Sequence, residues 1–389
     1  MTRSPRLAFR VALAYATCVL LLATMVVPAT KSQSEDSKTS AFPDLRDTPP
    51  DLTVPPMTLG VAAPGRRVRQ TSPGFEGTNI YHALYLPADW KKGERYPVIV
   101  EYAGNGPYTS EFGDVSSGHL EGSKLGFGIS GGNHFIWVCL PFVNSEERRN
   151  QTLWWGDTEA TVRYCETAVR SVCEEYGGDP SRVILAGFSR GAIACNYIGL
   201  HDDEIADMWL AFIPYSHYDG VRRWDWPGSD RESALERLKR LRGRASFVCQ
   251  ERSVEDERAY IDSTGIIAPF TFLAVPFRNH NDAWTLRDSP ARKALRSWVE
   301  EILKTQPGTH AIRGRIRSAD GKPLAHVRIG SGNFHFTYTD DTGRFVLAGL
   351  IDSRRTVTPS ENGKVFTPRN VTVEIRGQDI NGLAFTSSR

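Results

Sequence analysis

The chain has 389 residues, 47 basic and 45 acidic side chains, and a formal net charge of +2. That length exceeds what one hydrophobic core usually serves, so two domains are expected. Charge this balanced, with no basic block interleaved with aromatics, excludes the electrostatic footprint of a nucleic-acid binder.

Residues 1–29 read as an export signal. Arg3, Arg6 and Arg10 form its positive end, Val11 to Val27 its apolar run, and Val27-Pro28-Ala29 supplies small residues before a cut. The run is near the lower limit of a spanning helix, so a retained anchor is the alternative. No later segment is long and apolar enough to span, so no stable membrane insertion is expected after cleavage. The mature protein would then be secreted, periplasmic or held at a cell surface. Export permits disulfides. Without Cys18 an odd set of five remains: Cys139 and Cys249 in apolar strand-like runs, and Cys165, Cys173 and Cys195 in helix-like runs. They read as buried thiols, with or without one bridge, and no spacing resembles a zinc or redox site. Residues 30–75 are rich in Ser, Thr, Pro and Asp, lack periodicity, and read as a flexible leader.

A first domain is expected over residues 76–306. Asn79 to Pro87 alternates as a strand, and Tyr96 to Tyr102 follows as the next. His134 to Pro141 is a strand and Asp157 to Tyr176 a helix. Arg182 to Ala186 is a strand leading into a helix from Arg190 to Leu200. Met208 to Pro214 is a strand, and Arg231 to Leu241 a helix. Ala245 to Gln250 and Phe270 to Val275 are strands, and Ser289 to Lys304 closes with an amphipathic helix. Apolar strands alternating with helices imply an α/β fold with a mostly parallel sheet covered on both faces.

After Pro307-Gly308 the pattern changes to short alternating segments: Ala311–Arg317, Ala325–Ile329, Phe334–Tyr338, Arg344–Leu347 and Val371–Ile375. Asp320-Gly321 and Asp341-Thr-Gly343 mark turns between them. Residues 307–389 therefore read as an all-β sandwich. Gly314, Gly321-Lys-Pro323, Val327, Thr339-Asp-Asp-Thr-Gly-Arg-Phe345 and Leu347-Ala-Gly-Leu350 resemble the carboxypeptidase-regulatory-like, prealbumin-type modules.

The chemistry centres on Gly187-Phe188-Ser189-Arg190-Gly191, a G-x-S-x-G between a strand and a helix. In that setting the serine sits on a tight turn that projects its hydroxyl from the sheet, and the following helix turns its amides toward it. The region from about 76 to 305 resembles the α/β-hydrolase family, esterase or serine-peptidase branch, and the resemblance implies Ser189 as nucleophile. A serine hydroxyl needs a base. In this fold the histidine follows the last strand, which is where His280 stands in Phe277-Arg-Asn-His-Asn-Asp-Ala-Trp284. His217, in Tyr215-Ser-His-Tyr-Asp-Gly220, is expected in the pocket.

The acid departs from the family pattern, since Ser253 stands near its usual place. Glu251, just past the strand, ranks first, then Asp219, then Asp256, which looks like the first turn of a helix. Family geometry implies an oxyanion hole from the Arg190 amide and the loop Ala103-Gly-Asn-Gly-Pro107, through Gly104 and Asn105, whose side chain offers a further donor. The Arg190 guanidinium is expected either at the surface or in an ion pair, or else reading an acidic, uronate-type ester. Thr109 to Asn133 is expected to form a lid or substrate wall, and Trp154, Trp155 and Trp284 divide between pocket and core.

These residues imply an exported serine hydrolase acting on carboxylic esters, free or carried on polysaccharide, through an acyl-enzyme. No metal or organic cofactor is called for. One alternative is an exported peptidase of prolyl-oligopeptidase type, although such peptidases usually carry a large N-terminal propeller, which about a hundred residues here cannot form. The other is a surface or carbohydrate-binding protein on a hydrolase scaffold.

Overall fold

The computed structural model describes residues 42–304, 310–331 and 335–388. The expected signal over 1–29, Cys18 and the Pro307-Gly308 boundary lie outside the described residues. The central sheet is built from β1 (Met57–Thr58), β2 (Arg67–Gln70), β3 (His82–Tyr85), β4 (Tyr96–Tyr102), β7 (Ile136–Leu140), β10 (Gly178–Phe188), β11 (Ala211–Tyr215), β12 (Ala245–Glu251) and β13 (Phe270–Val275). Two small hairpins lie outside it: β5 (Tyr108–Thr109) with β6 (Val115–Ser116), and β8 (Phe142–Asn144) with β9 (Arg149–Gln151).

Strand order across the sheet is β1-β2-β3-β7-β4-β10-β11-β12-β13. Every pair from β7 to β13 is parallel, while β3 runs antiparallel to both β2 and β7. The central strands are buried along their length, as a sheet covered on both faces requires. Alternation along each strand sorts the side chains into two cores. Val98, Val100, Val183 and Leu185 pack toward α2 (Thr158–Tyr176), through Cys165, Val169 and Cys173, and toward α3 (Arg190–Tyr197), through Ile193. Ile99, Ile184, Ala186 and Phe188 face the opposite side, against α1 (Leu125–Ser130) and α7 (Pro290–Lys304). Three shorter helices, α4 (Asp203–Ala206), α5 (Arg231–Leu238) and α6 (Glu255–Thr264), lie on the first side. This is an α/β-hydrolase architecture, with the serine at the end of a central strand.

The C-terminal part is a sandwich of two four-stranded sheets, β17-β14-β21-β19 and β16-β15-β18-β20. The strands are β14 (His310–Ser318), β15 (Arg328–Ser331), β16 (His335–Tyr338), β17 (Arg344–Leu350), β18 (Ser353–Ser360), β19 (Val365–Thr367), β20 (Val371–Ile375) and β21 (Ile380–Ser388). Ile312, Ile316, Val327, Phe345, Val357 and Phe385 fill the space between the sheets. All pairs are antiparallel except β14 with β21. Arg355 reaches out of the sandwich to Asp207 at 2.9 Å, a nearly buried ion pair.

Two expectations change. The leader over 30–75 is not a free segment across its described part. Leu45 is 2 % exposed and joins the core on the α7 side. Its amide donates to Asn279 Oδ1 at 2.6 Å, Asp44 pairs with Arg278 at 2.8 Å, and Asp51 pairs with Arg292 at 2.6 Å. Single anchoring residues among Pro and Asp leave no periodic signature. The segment Thr109–Asn133 also divides, with its first part walling the pocket and its second forming the buried helix α1. The five described cysteines are all buried free thiols. Among the described residues no helix is long and apolar enough to cross a membrane.

Leu45→Ala is expected to lower the unfolding free energy by about 2–5 kcal/mol, the cost of emptying a buried leucine site. A urea titration checks this. An unchanged midpoint would return residues 42–52 to the status of a leader.

Candidate active site

Ser189 sits between the end of β10 and the start of α3. Its backbone is held at φ 56°, ψ −115°, outside the ordinary region for a side-chain-bearing residue. Two glycines permit the turn. A Cβ on Gly187 would run into the carbonyl of Gly191, and one on Gly191 into the carbonyl of Tyr102. The Ser189 amide donates to Tyr215 O at 2.9 Å, tying the turn to the neighbouring strand β11.

The structure brings three of the predicted residues into one chain. Ser189 Oγ lies 3.0 Å from His280 Nε2, and His280 Nδ1 lies 2.7 Å from Glu251 Oε1. Glu251 is the last residue of β12, and its carboxylate is buried. Burial works to raise its pKa, but the bond to His280, the charge on that ring and the Ser216 hydroxyl outweigh burial and hold it below the ordinary carboxylate value. Asp219 and Asp256 are not part of this chain. Asp219 is buried against Arg237, at 2.8 and 3.1 Å. Asp256 is exposed in the first turn of α6.

Ser216 was not singled out from the sequence. Its hydroxyl donates to Glu251 Oε1 at 2.8 Å and also lies 2.8 Å from His280 Nδ1. It therefore braces the carboxylate and the imidazole together. Its φ of 68° and its amide bond to Cys249 O at 2.8 Å fix it at the end of β11. The residues flanking His280 are pinned as well, since Asn279 and Asn281 both donate to Asp114 Oδ1, at 3.1 and 3.2 Å. Asp114 also went unmarked. A lone Ser or Asp in a loop carries no spacing signal.

On the side of the loop expected to form the oxyanion hole, Gly104 lies against Ser189. A Cβ there would stand 3.0 Å from the Phe188 ring and 3.3 Å from Ser189 Cβ. Asn105 lines the same cavity, but its side-chain oxygen accepts from the Trp154 amide at 2.8 Å and so shapes the wall. The Arg190 amide begins α3 directly after the serine. The Arg190 side chain corrects the expectation of a surface position or an ion pair, and its donors turn to the protein's own carbonyls rather than into the cavity. It is 1 % exposed and donates to the carbonyls of Trp154, Gly104, Gly118 and Ala103, at 2.6, 2.9, 3.2 and 3.4 Å. Its guanidinium also lies over the Phe142 ring, 4.2 Å from the centroid. It is a clamp on the loops around the serine, and burial pushes its pKa down.

A cavity of about 480 Å³ opens at Ser189 and His280. Tyr108, Thr109, Ser110, Glu111 and Phe112 form one wall, and His217 and Trp224 another. Tyr108 meets the His280 ring edge-on at 5.3 Å. Of the tryptophans considered from sequence, Trp155 and Trp284 are fully buried core residues, and Trp154 is half-buried.

No protein-family model matches the sequence. No curated protein matches it significantly. Solved structures that resemble it include esterases. Esterase 2 of Thermogutta terrifontis, phosphorylated by paraoxon, matches with 14% identity and a TM-score of 0.43 over 61% of this chain and 93% of that one. A mutant of the feruloyl esterase module from Clostridium thermocellum, complexed with sinapinate, matches with 15% identity and a TM-score of 0.39, over 61% and 92%. A thermostable esterase matches with 14% identity and a TM-score of 0.37 over 60% of this chain, which spans 62% of that chain's length. Likeness of this degree carries no inference about reaction or substrate.

Glu251 binds its proton more weakly in the folded chain than in the unfolded one. Its contribution to stability is therefore fully present above the unfolded carboxylate pKa and is lost as pH falls through the lower folded value. Glu251→Gln removes that contribution. Thermal unfolding should show wild type above the variant at pH 7, with the gap closing at acid pH. A gap that stays constant down to pH 2 would contradict the depressed pKa.

Proposed function

We propose that the protein is a serine hydrolase that cleaves carboxylic esters through an acyl-enzyme. The observation that carries this reading is the continuous chain Ser189–His280–Glu251, with contacts of 3.0 and 2.7 Å, opening on a substrate-sized cavity. Export belongs to the same proposal and rests on the arginine-flanked apolar run of residues 11–27.

In this mechanism Ser189 Oγ bonds to the ester carbonyl carbon while His280 Nε2 takes the hydroxyl proton. Glu251 keeps the other ring nitrogen protonated and offsets the positive charge that develops on the imidazole. The negative oxygen of the tetrahedral intermediate is met by the Arg190 amide and by the Gly104–Asn105 backbone. Collapse breaks the carbon–oxygen bond to the alcohol, which leaves with the proton from Nε2. Water then repeats the sequence on the acyl-serine, releasing the acid and restoring the hydroxyl. The cavity wall mixes Tyr108, Phe112, Phe188 and Trp224 with Glu111, Arg252 and Arg278, which suits an ester carrying both apolar and polar groups.

A fluorophosphonate probe should label wild type and not Ser189→Ala. That variant should stay folded and lose on the order of 10⁶ in kcat across a panel of nitrophenyl, feruloyl, acetyl-xylan and uronate esters. A kcat within tenfold of wild type would remove Ser189 from the chemistry. Absence of labelling in wild type would favour a binding protein on a hydrolase scaffold.

Ser216→Ala should keep the nucleophile reactive and lower kcat about ten- to a hundredfold at nearly constant KM, the loss of one hydrogen bond to a charged group. Steady-state kinetics on a nitrophenyl ester decide it. A change confined to KM would make Ser216 a wall residue.

A further inference from the structure

A second cavity, of about 600 Å³, lies beside the one at Ser189 and shares Trp224 with it. It is lined by Arg223, Trp224, Asp225, Trp226, Gly228 and Asp230, within a single loop between β11 and α5. Ring contacts run without interruption from the catalytic base to this loop. His280 lies 5.6 Å from His217, His217 lies 5.2 Å from Trp224, and Trp154 lies 5.7 Å from Trp224 and 6.5 Å from Trp226.

The loop holds its shape through other residues. Ser229 Oγ lies 2.6 and 2.8 Å from the carbonyls of Trp224 and Trp226, which share its one proton, and it accepts from the Trp224 amide at 3.2 Å. Arg237 reaches Gly228 O at 2.9 Å, and Tyr197 Oη reaches Pro227 O at 2.8 Å. The segment is thus rigid before anything binds, which lowers the ordering cost of a ligand. Trp155, packed at 4.3 Å on Tyr197, is core. Trp154, Trp224 and Trp226 are only half-buried, and Trp224 and Trp226 line the rim of the second cavity. Arg223 and Asp225 are exposed on the same rim.

Flat aromatic faces next to charged hydrogen-bonding groups match one ligand class well. A pyranose ring has an apolar C–H face for stacking and an edge of hydroxyls, which a carboxylate accepts from and a guanidinium donates to. An aromatic acyl group would instead ask for an apolar slot, and the charged rim is not one. We propose that the loop 223–230 is a saccharide subsite, in which a sugar ring stacks on Trp226 and Trp224 while Arg223 and Asp225 bind its hydroxyls. For the reaction this rests on the ester-hydrolase reading, and it makes the alcohol half of the ester carbohydrate.

Two measurements test it. In the first, kcat/KM is compared for acetyl-xylo-oligosaccharide and nitrophenyl acetate, in wild type and Trp226→Ala. The ratio of the two should fall tenfold or more in the variant, mainly through KM for the oligosaccharide ester. An unchanged ratio would overturn the subsite, as would a variant that separates feruloyl from acetyl esters of the same simple alcohol. In the second, Ser189→Ala is titrated with xylotetraose and tryptophan fluorescence is followed. Saturable change that is lost on adding Trp226→Ala or Asp225→Ala supports the subsite, and its absence overturns it. The two proposals fail separately. Sugar binding without any ester hydrolysis would sink the enzyme and keep the subsite, whereas hydrolysis without sugar binding would do the reverse.

Discussion

The turn at Ser189 exists because β4, β10 and α3 approach one another more closely than side chains would allow. Gly187 meets the carbonyl of Gly191, and Gly191 meets that of Tyr102. That approach forces the serine into its strained backbone conformation and aims its hydroxyl out of the sheet. It also begins α3 at Arg190, so an amide lies next to the place where negative charge would develop. Strain of this kind persists only when the surroundings hold it. Here the holding groups are the Tyr215 carbonyl and the packed strands on either side.

A second layer keeps His280 in register with Ser189. Glu251 is positioned by the end of β12, Ser216 by the end of β11, and their shared contact with His280 Nδ1 leaves the ring little freedom. Beyond them, Asp114 gathers Asn279 and Asn281 on both sides of the histidine. The Leu45 amide reaches Asn279 from the opposite direction. A loop that would otherwise be mobile is thereby tied to two distant segments, and rigid support of this sort separates a working constellation from a merely adjacent one.

Arg190 shows how far environment decides a residue's part. Beside a nucleophile, an arginine invites a substrate-binding reading. In the fold its guanidinium satisfies four backbone carbonyls of loops that form the cavity. Buried carbonyls of this kind need donors. Its contribution is architectural.

Much of this was legible in the sequence. Long apolar strands alternating with amphipathic helices specify a covered parallel sheet, because backbone periodicity and burial are local properties of the chain. The G-x-S-x-G in its strand-to-helix setting marked Ser189, and chain order marked His280. Three acids stayed in contention because proximity to an imidazole is not a local property. Only the parallel register of β11, β12 and β13 puts Glu251 and Ser216 beside His280 and sends Asp219 to Arg237. The same holds for the anchoring of residues 42–52, the bracing by Asp114 and the Trp224–Trp226 rim. Each depends on single residues brought together across long stretches of chain, where no repeat or spacing announces the contact.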